Sequence, residues 1–252
     1  MSITDLFFNP VREVQYENQE DYSFALKSLN TLISISKIQD VSIYVIDYYK
    51  RKFAYVSDCP LFLCGHSAKE VQEWGFEYLQ KIIPRNDLEM LLEINTKGFD
   101  FFYNLPIAER DRCFISYDFN LKHRNGSTIL INQKLTPLNI TRKGDMGFAL
   151  CLISHSFNKT SGNVFIQMLD NSKRYNYSFG SKKFIEEDTI KLSGREQQVL
   201  KLMMNERATC KIASLLYVSE NTIKHHKKNI YEKLGVNCME EAIFYAKIKN
   251  LI

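Results

Sequence analysis

Apolar and polar positions change their period twice along the chain. Residues 41–48 (VSIYVIDY) form a nearly unbroken apolar run and residues 53–57 (FAYVS) a shorter one, with the polar stretch Tyr49-Lys50-Arg51-Lys52 between them. That pattern predicts two strands joined by a turn. The period then lengthens. Ser67 with Glu70 has the form of a capping box, Phe76 to Ile83 stops at Pro84, and Asn86 caps a helix of Leu88, Leu91, Leu92 and Ile94 that ends by Gly98. From residue 113 the period falls to two, with Cys113, Ile115, Tyr117, Phe119 and Leu121 on one side. Asn125-Gly126 makes a tight hairpin into Ile129, Ile131 and Leu135, and residues 147–153 supply another strand. Two strands, several short helices and three antiparallel strands give an α+β class, with no βαβ repetition. A helix is also predicted around Tyr22 to Leu32, and an extra hairpin over residues 163–180 with its turn at Asp170-Asn171-Ser172. The polar stretch 181–191 reads as a linker.

Beyond Leu192 every predicted element is helical. Ser193 with Glu196 opens one helix carrying Val199, Leu200 and Met203, and Thr209 precedes a second with Ile212, Ala213, Leu215 and Leu216. Tyr217-Val218-Ser219 interrupts it. Ser219 then caps a third helix, Val218 can staple to Ile223, Glu220 suits the positive end of the dipole, and Gly235 closes the helix. At about 100° per residue, Ser219, Ile223, Ile230 and Leu234 share one sector, while Asn221, Lys224, His225 and Lys228 cluster opposite. A last helix spans about Cys238 to Ile248. The organisation expected is a helical segment at 1–35, an α+β domain at 36–157, a hairpin and linker at 158–191, and an all-α domain at 192–252.

Composition sharpens this division. Of 33 basic and 29 acidic side chains, ten and six lie from Leu192 onward, so 23 of each remain before it and the whole +4 excess sits in the last quarter. A polyanion partner for the helical part follows. Two helices joined by a short turn, the second with a basic outer face, place that helix in a major groove of double-stranded DNA. The rival reading is a protein-interaction module in which the trihelical domain docks a protein and the basic face is solvated. Six scattered cysteines fit a reducing compartment, with Cys59 and Cys64 as small apolar filler. Neither a signal-like h-region nor a membrane-length apolar run is present, so the expectation is a cytoplasmic protein without a membrane partner. No phosphate loop, nucleophile elbow, zinc-binding H-E-x-x-H or paired carboxylates occur, which argues against an enzyme and leaves no catalytic or metal residues to name.

The C-terminal residues also carry a family resemblance. L-S-x-R-E-x-x-V-L (Leu192 to Leu200), I-A (Ile212, Ala213), L-x-V-S-x-x-T-I-K-x-H (Leu216 to His226) and N-I-Y-x-K-L-G-V (Asn229 to Val236), followed by Glu241-Ala242, resemble the LuxR-type helix-turn-helix domain. The resemblance implies a four-helix DNA-binding domain of a transcription regulator. By it, Lys224, His225 and Lys228 enter the major groove and Asn221 and Thr222 stand at the phosphate-facing start of the same helix. Lys227 joins these candidate DNA contacts by adding charge beside them, whereas Asn229 serves the backbone or the fold and His226 is structural. The last helix, with Met239, Ala242, Ile243 and Ala246, is a homodimer contact or ordinary core. Three positions depart from the family pattern: Glu206 or Arg207 replaces a glycine, Lys211 an acidic residue, and Lys227 an apolar one. These put the first turn and the internal polar contacts outside the family pattern.

Upstream, YVSDCPLFLCGHSAKEV (55–71), IIPRND (82–87) and HRNGS (123–127) resemble a PAS-type sensor domain. The fold implied is a PAS-like antiparallel sheet with helices, joined to the all-α head, in which the sensor or dimerisation domain controls DNA binding and a small-molecule ligand has room in the core. RNA polymerase is a further candidate partner. No bound cofactor is expected. The cysteine of a photoreactive flavin site is missing where the chain has Trp74-Gly75-Phe76, and His66, His123 and His155 read as surface or satisfied residues, not haem ligands. Asp47 reads as a turn residue, since one short turn separates its strand from the next and a phosphoacceptor receiver needs repeated βα units.

Overall fold

The computed structural model describes residues 2–39, 41–169, 173–187, 192–206, 208–248 and 251. Two compact units divide the chain, 1–187 and 188–252. In the first, α1 (Ile3–Phe8) and α2 (Gln19–Gln39) precede β1 (Ser42–Asp47) and β2 (Lys52–Val56). The helices α3 (Pro60–Leu63), α4 (Ala68–Trp74), α5 (Glu77–Ile82) and α6 (Arg85–Asn104) lead on to β3 (Cys113–Lys122), β4 (Thr128–Ile140) and β5 (Met146–His155). The unit ends with β6 (Gly162–Met168), β7 (Arg174–Ser178) and β8 (Lys183–Glu186). All strands join one sheet in the order β2-β1-β5-β4-β3-β6-β7-β8, and every neighbouring pair is antiparallel.

The unbroken apolar run of β1 has a physical reason: the strand is buried on both faces. Tyr44 and Ile46 face the larger core with Phe62, Tyr78 and Ile94, while Val45 packs with Tyr22, Ala25 and Leu29 of α2. Those three positions of α2 recur at helical spacing, which lays one stripe of the helix on the back of the sheet.

The long helix α6 differs from expectation at both ends. Pro84 is its N-cap, not Asn86, and its carbonyl accepts from Leu88 N–H at 2.9 Å. The helix also runs through Gly98 to Asn104. Glycine costs a helix about 1 kcal/mol against alanine, and burial of Phe99 and Phe102 one turn later outweighs that. A Cβ at Gly98 would make only an ordinary contact with Ile115 Cδ1, at 3.5 Å, so the packing of α6 on the sheet does not require glycine there.

The stretch 181–191 is not simply a linker. Its residues Lys183–Glu186 are β8, paired to β7 with Phe184 opposite Tyr177. One aromatic accounts for the strand, since the Phe184 ring packs 5.0 Å from Tyr177 and 5.5 Å from Phe101. Residues 188–191 and the expected turn Asp170-Asn171-Ser172 lie outside the described residues. The two strands of the expected hairpin extend the sheet, since β6 pairs with β3 and β7 pairs with β6. Asp47 is not the turn residue expected: it is the last residue of β1, buried and paired with Lys52 and Phe148, and its carboxylate caps the turn that follows, accepting from Lys50 N–H at 2.9 Å and from the Tyr22 hydroxyl at 2.6 Å.

Among the described residues the elements of the second unit are all helices, α7 (Gly194–Asn205), α8 (Thr209–Leu215), α9 (Glu220–Leu234) and α10 (Met239–Ile248). Val199, Leu200, Met203, Ile212, Ile223 and Ile230 fill its core. No helix among the described residues is long and apolar enough to cross a membrane.

Candidate nucleic-acid interface

The caps fix α9 at both ends. Ser219 Oγ accepts from Thr222 N–H at 3.1 Å, and the two hydroxyls lie 2.8 Å apart. Gly235 ends the helix with φ of 65°, a left-handed conformation cheap only for glycine. Between the caps the helix is divided by chemistry. Ile223 and Ile230 are fully buried and Leu234 nearly so, whereas Asn221, Lys224, His225 and Lys228 are exposed. Lys228 reaches Glu232 at 3.7 Å with both side chains mostly in solvent, and a pair that exposed constrains the lysine little. Asn229 donates to His225 Nε2 at 3.2 Å, holding that ring on the outer face.

Lys227 sits apart from these candidates. Its ammonium is half-buried and donates to Thr209 Oγ1 on α8 at 3.0 Å, and burial lowers its pKa from the usual lysine value. It lines the recess beside the open face together with Lys224, Lys228, Tyr231 and Asn237. Tying α9 to the first turn of α8 is its visible work. His226 is half-buried on the inner flank.

Two departures from the family pattern compensate one another. Glu206 adopts φ of −135°, extended backbone that needs no glycine. Its carboxylate accepts from Ala208 N–H at 3.1 Å and pairs with Lys211 at 3.3 Å. The positive charge of Lys211 is therefore met within α8 and its entry turn.

Positioning residues escaped the sequence reading. Arg195 on α7 donates to Leu216 O at 2.9 Å and to Gln198 Oε1 at 3.0 Å, fastening the turn before α9. Glu196 completes the capping box with Ser193, and its carboxylate, 3% exposed as a residue, also accepts from Lys233 at 2.7 Å. The box was legible from Ser193 and Glu196; the lysine 37 positions on was not. Burial by itself would raise the Glu196 carboxyl, but Lys233 and the hydrogen bonds from Ser193 outweigh it and hold the pKa below its ordinary 4.5. A depressed carboxyl adds stability that is complete above the unfolded value and is lost as the pH falls through the folded one. The helical unit should thus lose stability on acidification below pH 4.5. Glu196→Gln should flatten that loss, as measured by helical melting at about pH 5 and about pH 3.

In α10, Ala242 and Ala246 are fully buried in the unit's own core, while Phe244 is exposed. Intramolecular packing accounts for those two alanines.

The first unit holds a second candidate site. An apolar cavity of about 60 Å³ lies between α6 and the sheet, lined by Tyr48, Asn95, Phe99, Phe102, Tyr117 and Met146 among others. Gln133 Nε2 donates to the Tyr117 hydroxyl at 2.6 Å, and Tyr44 donates to Gln133 Oε1 at 3.0 Å. Burial raises the pKa of Tyr48 well above the usual value, so its hydroxyl stays protonated. Among the described residues no group of three or more His, Cys, Asp or Glu could hold a metal ion. His66, expected as a surface or satisfied residue, is half-buried and packs edge-on against Trp74 and Tyr78, with its Nδ1 buried without a hydrogen bond.

The sequence profile described as "Bacterial regulatory proteins, luxR family" matches residues 190–246. The chain is 38% identical over 52 residues to the spore germination protein GerE of Bacillus subtilis, spanning 21% of this chain and 70% of that protein. It is 37% identical over 82 residues to the Fimbriae Z protein of Escherichia coli K12, 32% of this chain. The match spans about two fifths of that relative's length, 39%. The transcriptional regulatory protein DegU of Brevibacillus brevis is 41% identical over 59 residues, 23% of this chain and 25% of that protein. Among solved structures, a Vibrio cholerae VqmA dimer described in the absence of target DNA covers 87% of each chain with 14% identity and a TM-score of 0.34. A phage VqmA–DPO complex covers 88% of this chain and 87% of its own with 20% identity and a TM-score of 0.30.

Proposed function

The chain belongs to the luxR family of bacterial regulatory proteins, and from that membership we propose that it is a sequence-specific transcription regulator that places α9 in the major groove of double-stranded DNA. One observation carries the reading: Asn221, Lys224, His225 and Lys228 stand exposed on a helix whose opposite flank is core. Asn and Lys side chains match base-edge acceptors and donors, and the capped start of α9 with Thr222 suits a phosphate. Lys227 adds charge at the rim of that face.

The first unit is read as a PAS-like sensor. Two strands, a run of helices and three antiparallel strands in one sheet support this. The cavity suits a ligand of only a few heavy atoms with an apolar body and a hydrogen-bond acceptor for the hydroxyl of Tyr48 or Tyr117. Its occupancy would bias α6 and the sheet, which enclose it. A homodimer is the natural form, since two heads about 34–36 Å apart sum their binding energies on one face of the duplex. Phe24, Ile35 and Ile38, exposed on α2, and Phe244 on α10 are the apolar positions a second copy would cover.

Capture of bound DNA fragments from cells, read genome-wide, tests the function. The expected result is a set of enriched promoter fragments sharing one sequence motif. Fragments indistinguishable from those of a control without the protein would contradict it.

A further inference from the structure

The turn between α8 and α9 carries a residue that the fold alone would not select. Tyr217 follows the α8 cap residue Leu216 in the left-handed region, with φ of 55°. Its N–H donates to Ser214 O at 3.3 Å, and Val218 N–H donates to Ala213 O at 3.0 Å. That pair of bonds is a Schellman cap with Tyr217 at the left-handed position, where glycine or asparagine is cheapest and a bulky side chain crowds its own backbone. Burial returns nothing, because Tyr217 is 96% exposed. The turn beneath it is nonetheless held firmly, by Arg195 at Leu216 O and by Val218 packed on the helical core. Ser219, the N-cap of α9, is only two residues on.

We propose that Tyr217 is a DNA-positioning residue, its ring lying against a deoxyribose and its hydroxyl donating to a phosphate oxygen at the mouth of the groove that α9 enters. A ring with a polar tip suits a boundary that is apolar at the sugar and anionic at the phosphate. Contacts of this kind fix orientation without reading sequence, so Tyr217 sets how α9 seats while the lysines of α9 read the groove. The inference rests on the groove reading of α9.

The test uses the full chain and the duplex that the wild-type protein enriches from a random-sequence library. Y217G satisfies the left-handed backbone and removes the ring. Its Tm should equal or exceed that of the wild type, while its affinity falls about tenfold. The slope of log affinity against log salt should not change, because a neutral side chain releases no counterion. Y217F, which keeps the ring and loses the hydroxyl, should fall about threefold. Y217G binding within twofold of the wild type overturns the inference, and so does an affinity loss that comes with a lowered Tm. A wild-type chain that enriches no duplex at all overturns the groove reading itself, and is told apart because the failure does not depend on residue 217.

Discussion

Replacing Lys224 and Lys228 together by alanine is expected to weaken binding to the specific duplex by about 2 to 4 kcal/mol, on the order of a hundredfold, with almost no change in stability. Both side chains lie on the exposed flank of α9, one turn apart. Neither supports the core, which α9 meets through Ile223, Ile230 and Leu234. The folded unit forfeits only the weak Lys228–Glu232 pair, worth a few tenths of a kcal/mol. The complex would lose far more. Each ammonium that meets a base edge contributes about 1 to 3 kcal/mol, and one that touches only phosphate contributes less. Because the two are neighbours, the double variant need not equal the sum of the single ones. Fluorescence anisotropy with labelled duplex measures the loss, and a circular-dichroism melt of the same sample establishes that the fold is intact. Lys227→Ala should lower stability as well as binding, since its half-buried ammonium donates to Thr209 on α8 while adding charge at the rim of the same face.

Arg110→Ala is expected to destabilise the first unit by about 3 kcal/mol, which for a unit of this size lowers its Tm by about 6 to 12 °C. Arg110 is 6% exposed. Its guanidinium donates to Leu105 O at 3.1 Å, Tyr103 O at 2.8 Å and Gly144 O at 2.6 Å. It thus binds the C-terminal carbonyls of α6, where the helix dipole favours a cation, to the hairpin between β4 and β5. The rings of Phe102 and Tyr103 lie 5.3 and 5.7 Å from it. Gly144 is part of the same device. It has φ of 86°, and a Cβ there would meet Arg110 Nη1 at 2.6 Å. Alanine at position 110 removes the donors from the buried carbonyl of Gly144 and the part-buried carbonyls of Tyr103 and Leu105. Arg110→Lys should recover part of the loss, since one ammonium cannot reproduce the fork. The single tryptophan of the chain, Trp74, lies on α4 in this unit, so its emission reads this unfolding separately from the helical unit.

What the sequence made legible were the features set by residues three or four apart. The capping box of Ser193 and Glu196, the cap at Ser219, the stop at Gly235 and the two faces of α9 all depend on such neighbours, and the structure holds each of them. The alternation of β3 was equally plain. Contacts made at long range were not. The Glu196–Lys233 pair joins two helices, and nothing local marks either residue for the other. Asp118 on β3 sits on the side of the strand opposite Phe119, where alternation suggests a solvated residue, yet it is fully buried. Three amides satisfy it, from Asn132 at 2.8 Å, Asn158 at 2.6 Å and Asn163 at 2.9 Å. β8 was hidden by its lysine and glutamate, because one inward Phe184 defines a four-residue edge strand that composition reads as linker. Gly98 misled in the other direction, as burial of the aromatic turn after it overrode the glycine's low propensity.

The central claim is that the cationic flank of α9 meets the phosphates and base edges of a duplex. The salt dependence of binding, compared between the wild-type chain and the Lys224→Ala/Lys228→Ala variant, tests it most directly. The account predicts a steep fall in log affinity with log salt for the wild type, at about 0.9 per phosphate neutralised, and a slope shallower by about one to two in the variant. Equal slopes with equal affinities in the two proteins would place the duplex elsewhere on the molecule and contradict the account.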